Sequence, residues 1–438
     1  MKITSLVLLV FGGLAWLPAA AHADEFGDVS PTREPSLWRW DLSGGFDSYL
    51  HTYALATEDT TEAIAEFMFQ GGVQGESRRQ ARNRWRLRAE ASAGTELYRQ
   101  RVEGDYRFRD AARRDRFRLL GRFWGRQYRR DTDYSLSSDN VEGTLEARAY
   151  PLVTEAAALE LRGFAGILDY RTPSALEVDY RDRGLGAFVR SRGFEGPVWG
   201  LGSRFARRAY PDSSAIDRDS WSLEGEFDHH DLEGRGLRVF HKSQRRVIAD
   251  ETVRPSAWTH WTDLGGLVSA GRGQVFLELQ NELWSYDEET GAFFDSWRVD
   301  GALGYRWGDL LGEVWKLALA AERFDAGDSP ETYNQFGLRA GVESYGEALG
   351  GMITLEYGRR IYRQGDVVLG TDALFPEGGE TLALYTDFDY WKIWLMATWS
   401  VARNLDLDIL ANYEPENHAE NTDDAAIGFA SVRLAWRP

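Results

Sequence analysis

Apolar and polar residues alternate along most of this chain. From Arg82, one phase reads Arg82, Arg84, Arg86, Arg88, Glu90 and Ser92, and the other Trp85, Leu87, Ala89, Ala91 and Ala93. The next segment sets Arg101, Glu103, Asp105, Arg107 and Arg109 against Val102, Gly104, Tyr106 and Phe108. Later, Val141, Gly143, Leu145, Ala147 and Ala149 oppose Glu142, Thr144, Glu146 and Arg148, and near the end Leu405, Leu407, Ile409 and Ala411 oppose Asp406, Asp408 and Asn412. A period of two puts each set on one face of a strand, whereas a helix would spread both around its circumference.

Alternation alone also fits a soluble sandwich, so segment length and punctuation decide. The segments run to about 10–16 residues, enough for a tilted membrane crossing of about 9–11. Trp and Tyr gather near their ends, at Trp258 and Trp261, Trp284 and Tyr286, Tyr305 and Trp307, and Tyr390 and Trp391, as interfacial girdles require. Short turns are expected at Ala402-Arg403-Asn404, Glu347 to Gly350, Gly308 to Gly312 and Val153 to Ala156. Longer polar connections are expected at Tyr210 to Asp219, Gln364 to Gly379 and Glu414 to Asp424. This predicts an all-β fold, a transmembrane antiparallel up-and-down β-barrel of about 18 strands (range about 16–20). The last strand runs from about Ala425 to Trp436, and the segment from Glu62 to Glu76 reads equally as strand or connection.

The N-terminus carries the address. Lys2 precedes an apolar stretch from Leu6 to Leu17, and Ala21-His22-Ala23 has the small-x-small form of a cleavage site. The expected organisation is a signal peptide at 1–23, a short periplasmic segment at 24–36 and a barrel at 37–438, with no room for an N-terminal plug or a secreted passenger. There is no Cys, which removes a lipid anchor, disulfides and thiolate metal sites. Aromatics reach 13% while charged residues make up 27%. After the leader no apolar run is long enough for a membrane-spanning helix.

Charge then changes the picture. The 51 basic residues are almost all Arg. Between Arg78 and Arg130 there are 18 Arg against six acids, a net of +12, and the rest of the chain after the leader carries −31. An Arg facing lipid near the midplane costs about 2–4 kcal/mol, so the alternation turns these side chains inward. The expected lumen-lining residues are Arg82, Arg84, Arg86, Arg88, Arg101, Arg107, Arg109, Arg116, Arg118, Arg122 and Arg126. Rows of guanidinium forks would form a track for carboxylates or phosphates. Equally, the same arginines could pair with Glu and Asp of neighbouring strands and brace the wall. Leu120, Trp124 and Tyr128 share the phase of Arg118, Arg122 and Arg126, which suggests a bulge or an extramembrane part there.

Other chemistry is sparse. Asp131, Asp133, Ser135, Ser137, Asp139 and Glu142 have the spacing of a calcium loop, but Leu136 stands where a Gly is needed, so an acidic outer loop is the default. The seven His show no metal spacing: His229 and His230 are adjacent, and His241 and His260 lie on other segments. No G-x-S-x-G elbow occurs, and catalysis would need Ser, His and an acid to converge from separate strands, so the reading is not an enzyme. No cofactor is expected. Trp85, Tyr98 and Tyr106 among the arginines are explained by alternation, so no nucleic-acid partner is expected.

The whole chain after residue 23 resembles Gram-negative outer-membrane barrels, including the last strand Ser431 to Trp436, though Arg437 and Pro438 follow the terminal aromatic. Its Arg sector is similar in kind to the lumen of anion-selective porins and alginate-export barrels. The resemblance implies a channel in the cell outer membrane that passes or exports small or polymeric anionic solutes. The alternatives are a filled barrel acting as a receptor or assembly partner and, more remotely, an outer-membrane hydrolase. Expected partners are outer-membrane lipids and lipopolysaccharide, the assembly machinery and an anionic solute or acidic polysaccharide.

Overall fold

The computed structural model describes residues 37–436 apart from 55–58, 78–81, 96, 113, 129–138, 173–177, 193–195, 232–233, 291–292, 310–311, 328, 330, 347, 364–366, 370–381 and 419–423. For 37, 40, 47–54, 59–66, 367–369 and 382–385 it gives the backbone alone. The signal peptide expected at 1–23, the segment 24–36 and residues 131–138 of the calcium-like loop lie outside the described residues.

The strands are β1 (Leu37–Ala54), β2 (Asp59–Glu76), β3 (Asn83–Gly94), β4 (Leu97–Arg109), β5 (Asp115–Tyr128), β6 (Asn140–Val153), β7 (Ala157–Tyr170) and β8 (Tyr180–Ser191). They continue with β9 (Val198–Ala209), β10 (Arg218–His230), β11 (Gly236–Ile248), β12 (Ala257–Ala270), β13 (Gly273–Tyr286), β14 (Ser296–Gly308) and β15 (Glu313–Asp325). The chain ends with β16 (Tyr333–Tyr345), β17 (Leu349–Tyr362), the short β18 (Val367–Leu369) and β19 (Leu382–Tyr385), β20 (Phe388–Ala402), β21 (Leu405–His418) and β22 (Ala425–Trp436).

All but β18 and β19 join one 20-stranded sheet in which each strand is antiparallel to its neighbours in sequence. β1 pairs with β22 from Leu42↔Trp436 to Tyr53↔Ala425, which closes the sheet and leaves no edge. β18 and β19 make a separate hairpin in the connection from β17 to β20.

The count is 20 where the sequence suggests about 18. The ambiguous segment 62–76 belongs to β2, and β21 extends to His418, so the connection expected from Glu414 begins later. The turns at 154–156, 309–312, 346–348 and 403–404 all lie at one end of the barrel, as expected. There Gly271, at φ +61°, opens the two-residue Gly271-Arg272 turn from β12 to β13, where a hairpin needs a positive φ. The other end, the loop end, carries the connections 129–139, 171–179, 210–217, 249–256, 287–295 and 363–387. Short turns mark the periplasmic side and longer loops the external side.

The two faces differ as the pattern demands. On β15, Trp315, Leu317 and Leu319 are exposed on the outer, convex face, Leu319 to 68%, while Val314, Ala318 and Ala320 on the other face are buried. Leu319 stands in register with Leu303 on β14 and Leu338 on β16, so the apolar belt continues from strand to strand. The opposite, polar face holds buried Glu160, Ser222, Glu322, Gln335 and Glu356. Such groups need hydrogen-bond partners, and the register supplies them.

Candidate functional site

Five arginines stand in direct register across five adjacent strands. Arg84 on β3 faces Arg107 on β4, Arg107 faces Arg118 on β5, Arg118 faces Arg148 on β6, and Arg148 faces Arg162 on β7. The row passes Gly186 on β8 and meets Arg204 on β9. It then runs through Ser222, Gln244 and Thr259 to Trp284 on β13. Arg84 follows the first residue of β3 at the turn end, whereas Trp284 lies next to the loop end of β13. Because strands in a barrel are tilted, a row perpendicular to them climbs the wall as a spiral.

The expected arginines are on this face, with one exception. Arg84, Arg86 and Arg88 on β3, Arg101, Arg107 and Arg109 on β4, and Arg116, Arg118, Arg122 and Arg126 on β5 share it. Arg82 lies in the bend before β3, where its carbonyl accepts from the Arg109 amide, and so stands outside the strand row. β5 pairs with β6 without interruption, and against β4 the register shifts from Phe108↔Phe117 to Arg109↔Asp115, so the expected bulge is at Arg116, at the start of β5 and ahead of Arg118, Leu120, Arg122 and Trp124. Leu120 and Trp124 therefore do sit on the polar face, and Trp124 Nε1 donates to Glu142 Oε2 at 2.6 Å.

Most of these arginines are paired. Asp105 binds Arg107 at 2.8 Å and Arg118 at 2.9 Å, and Glu103 binds Arg101 at 2.6 Å. Arg109 reaches Asp115 at 2.6 Å, Arg88 pairs with Glu90, and Arg148 pairs with Glu146. Arg116 and Arg114 both hold Asp110 in the turn from β4 to β5. The Arg114 amide also donates to the Asp110 carboxylate, and together these hold its pKa below the usual aspartate value. Arg84 has no carboxylate partner among the described residues, and the Arg126 Nε is buried without one.

A second basic group sits at the loop end. Arg218 on β10, Arg246 on β11 and Arg254 in the following loop lie close enough to repel one another. None of the three has a carboxylate partner among the described residues, and the Arg246 Nε is buried without any acceptor. Their neighbour Arg208, by contrast, is held by Asp182 through two bonds of 2.7 and 2.6 Å. Aromatic faces replace the missing counter-charges. The Arg246 guanidinium lies 4.6 Å from the Trp284 ring, Arg254 5.2 Å from Phe293, and Arg204 3.8 Å from Phe164. Phe164 can lie flat there because Gly184 stands opposite it; a Cβ at Gly184 would come within 2.3 Å of the ring. Alternation alone does not reveal this group, because the residues that pair or fail to pair are separated by whole strands.

The opposite wall carries a satisfied network. Tyr390, 1% exposed, donates to Glu356 Oε1 at 2.8 Å and accepts from Gln335 Nε2 at 2.9 Å. Arg339 donates to Glu356 Oε2 at 2.6 Å, and Arg360 donates to Gln335 Oε1 at 2.9 Å. Arg298 and Tyr333 share Glu322 Oε1 at 2.7 Å each. Arg298, Glu322, Gln335, Arg339, Glu356 and Tyr390 border a cavity of about 110 Å³.

Of the calcium-like loop, Asp139 accepts from the Tyr128 amide at 2.7 Å and binds Arg171 at 3.1 Å, while Glu142 lies within β6. No group of three or more metal-binding side chains occurs among the described residues. His241 and His260, distant in sequence, meet on adjacent strands with their rings stacked at 6.2 Å. At the loop end Asp287 accepts from Arg245 Nη1 at 2.7 Å, and hydrogen bonding to that guanidinium lowers its pKa.

No known family's sequence model matches the chain, and no curated protein matches it in sequence. Solved structures do. The copper transporter OprC is 11% identical with a TM-score of 0.55, over 94% of this chain and 83% of its own. The siderophore receptor PirA from Pseudomonas aeruginosa is 8% identical with a TM-score of 0.50, over 90% of this chain and 80% of its own. OccK7 (OpdD) from Pseudomonas aeruginosa is 11% identical with a TM-score of 0.43, over 92% of this chain and 99% of its own. At such identities the likeness is one of fold. With its closed sheet and apolar convex face, the chain has the fold of outer-membrane β-barrels.

Proposed function

We propose that this barrel is an outer-membrane channel passing anionic solutes, small or polymeric, along a basic track on its polar inner wall. The observation that carries the reading is the register row from Arg84 through Arg107, Arg118, Arg148 and Arg162 to Arg204. It climbs from the turn end toward the unpaired Arg218, Arg246 and Arg254 at the loop end. Paired arginines along the row keep N–H donors free at their second edge, and unpaired ones offer the whole fork. An anion can then be handed on between neighbouring sites, as conduction requires. The carboxylates Glu103, Asp105, Glu146 and Glu160 along the row weaken each site, which favours release.

A planar-bilayer recording across a KCl gradient tests this. Pure protein is expected to conduct with anion preference, and Arg84→Glu with Arg86→Glu to reduce or reverse it. Absence of conductance, or cation preference indifferent to those changes, sinks the proposal.

A second reading draws support from the ion-pair lattice itself. If Asp105, Glu146, Glu160 and the Tyr390 network serve to fill and brace the wall, the barrel acts as a receptor or assembly partner. The same recording would then be silent.

A further inference from the structure

On the apolar face of β11 and β12 lies a hydrogen-bonded chain for which transport has no use. Thr262 Oγ1 is 2.9 Å from His241 Nδ1, His241 Nε2 is 2.9 Å from Ser243 Oγ, and Ser243 Oγ is 2.9 Å from His260 Nδ1. The strand period explains the arrangement. His241 and Ser243 are two residues apart and share a face of β11, and the register sets Thr262 opposite His241 and His260 opposite Ser243. Val239 and Val247 belong to the same face of β11, and Leu264 and Val268 to that of β12, so the cluster looks out toward lipid. The row of His241 and Thr262 continues on the outer face through Asn281, Val299, Arg323 and Asn334, while the outer face of β14 to β16 nearer the turn end is apolar at Leu303, Leu317, Leu319 and Leu338.

A hydroxyl within hydrogen-bond reach of an imidazole, whose other nitrogen is held by a third group, is the nucleophile–base–orienter arrangement of acyl-transfer chemistry. Its depth selects the substrate. Trp258 stacks on His260 at 6.0 Å, and Trp221 shares with Trp258 the row two residues nearer the loop end. Tryptophans of such a girdle sit at the boundary between headgroups and hydrocarbon, the level of lipid ester carbonyls.

We propose that Ser243, His241 and Thr262 form a hydrolytic site for acyl esters of membrane lipids in the leaflet at the loop end. Ser243 Oγ attacks the ester carbonyl carbon while its proton passes to His241 Nε2. The carbon–oxygen bond to the lipid alcohol breaks, and that alcohol leaves with the proton from His241. Water then attacks the acyl-serine, gives a proton to His241, and releases the fatty acid as Ser243 regains its hydrogen. Thr262 is a positioning residue. Accepting from His241 Nδ1–H, it fixes the tautomer that leaves Nε2 free as the base. His260, on the other side of Ser243, is placed to donate to the oxyanion. The idea is independent of conduction, since every group lies outside the lumen.

The test uses the full chain purified in detergent, treated with a fluorophosphonate and mapped by mass spectrometry. Fatty-acid release is then measured after reconstitution into phosphatidylethanolamine vesicles and, separately, lipopolysaccharide vesicles. The expected result is an adduct on Ser243 and release from at least one vesicle type, which also identifies the lipid. Ser243→Ala should lose both, at least hundredfold in rate, while Ser285→Ala on the same outer face keeps both. Thr262→Val should lower kcat about tenfold or more with KM unchanged, and Thr262→Ser should restore it. No adduct on Ser243 in the unmodified protein, no release from either vesicle, or release indifferent to Ser243→Ala overturns the proposal.

Discussion

Asp105 on β4 and Arg118 on β5 are joined by two parallel hydrogen bonds of 2.9 Å, and Arg107 completes a fork on the same carboxylate at 2.8 Å. One anion thus holds two members of the arginine row. Asp105→Asn removes the charge and keeps the shape, so two partly buried guanidinium groups lose their counter-ion together. We expect a loss of about 1–3 kcal/mol, since hydrogen bonds to charged groups are worth about that much. Urea unfolding from lipid vesicles measures it. If the row is a conduction track, the same substitution should raise anion preference in the bilayer recording. If the row only braces the wall, stability falls and selectivity stays unchanged.

Tyr390 anchors the other wall. Tyr390→Phe removes only a hydroxyl, but that oxygen both donates to Glu356 and accepts from Gln335 in a buried site. Leaving those groups short of a partner should cost about 1–3 kcal/mol. A double-mutant cycle with Gln335→Leu checks the cause. The double variant is expected to be less destabilised than the sum of the two singles, because each single leaves an orphan that the other removes.

Most of this barrel is legible in the sequence, and the parts that are not share a physical reason. Period two fixes which residues share a face on one strand, so Arg84, Arg86 and Arg88 and the bounds of β22 follow directly. Strand number depends on recognising connections, and two at the loop end are short: 55–58, and the pair Thr95-Glu96 between β3 and β4. They break the short–long rhythm that the count relies on. β2 hides for a different reason, since Gly71, Gly72 and Gly75 dilute its alternation. Register between strands is the real gap. Nothing local says that Arg107 faces Arg118, that Gln335 reaches Tyr390, or that Thr262 falls opposite His241.

Asp287 carries a pH prediction for the loop end. Hydrogen bonds from Arg245 lower its pKa relative to the usual aspartate value. A group depressed in the folded state adds stability above its unfolded pKa, and that contribution is lost as pH falls through the folded value. The tether between β11 and the 287–295 loop should therefore hold at neutral pH and release only below the ordinary aspartate range. Hydrogen exchange in the 287–295 loop, followed from pH 7 to pH 2, should rise at the acid end. Asp287→Asn should show the raised exchange at every pH. If the substituted protein still shows an acid-dependent rise as large as the parent's, Asp287 is not the group responsible.

The sharpest contrast lies between two arginines of one face, Arg101 and Arg246. Arg101 has Glu103 at 2.6 Å, and that pair presents a dipole rather than a charge on the polar face. Arg246 has no carboxylate partner among the described residues, and the Trp284 ring covers it at 4.6 Å. The ring steadies the guanidinium plane without neutralising it, so the positive potential stays available to an anion. Replacing Arg101 by Gln removes one positive charge but leaves Glu103 unmatched, and Arg122 at 3.5 Å partly takes up that carboxylate. Arg246→Gln removes an unmatched charge outright and relieves its repulsion with Arg218 and Arg254. Anion preference in the planar-bilayer recording should therefore drop more for Arg246→Gln than for Arg101→Gln, while stability should fall for Arg101→Gln and hold or rise for Arg246→Gln. Arg246→Lys should recover only part of the preference, since an ammonium keeps the charge but loses the fork and the flat contact with Trp284. Equal loss of preference from both Gln substitutions would mean that total lumen charge, rather than the unpaired arginines, governs selectivity.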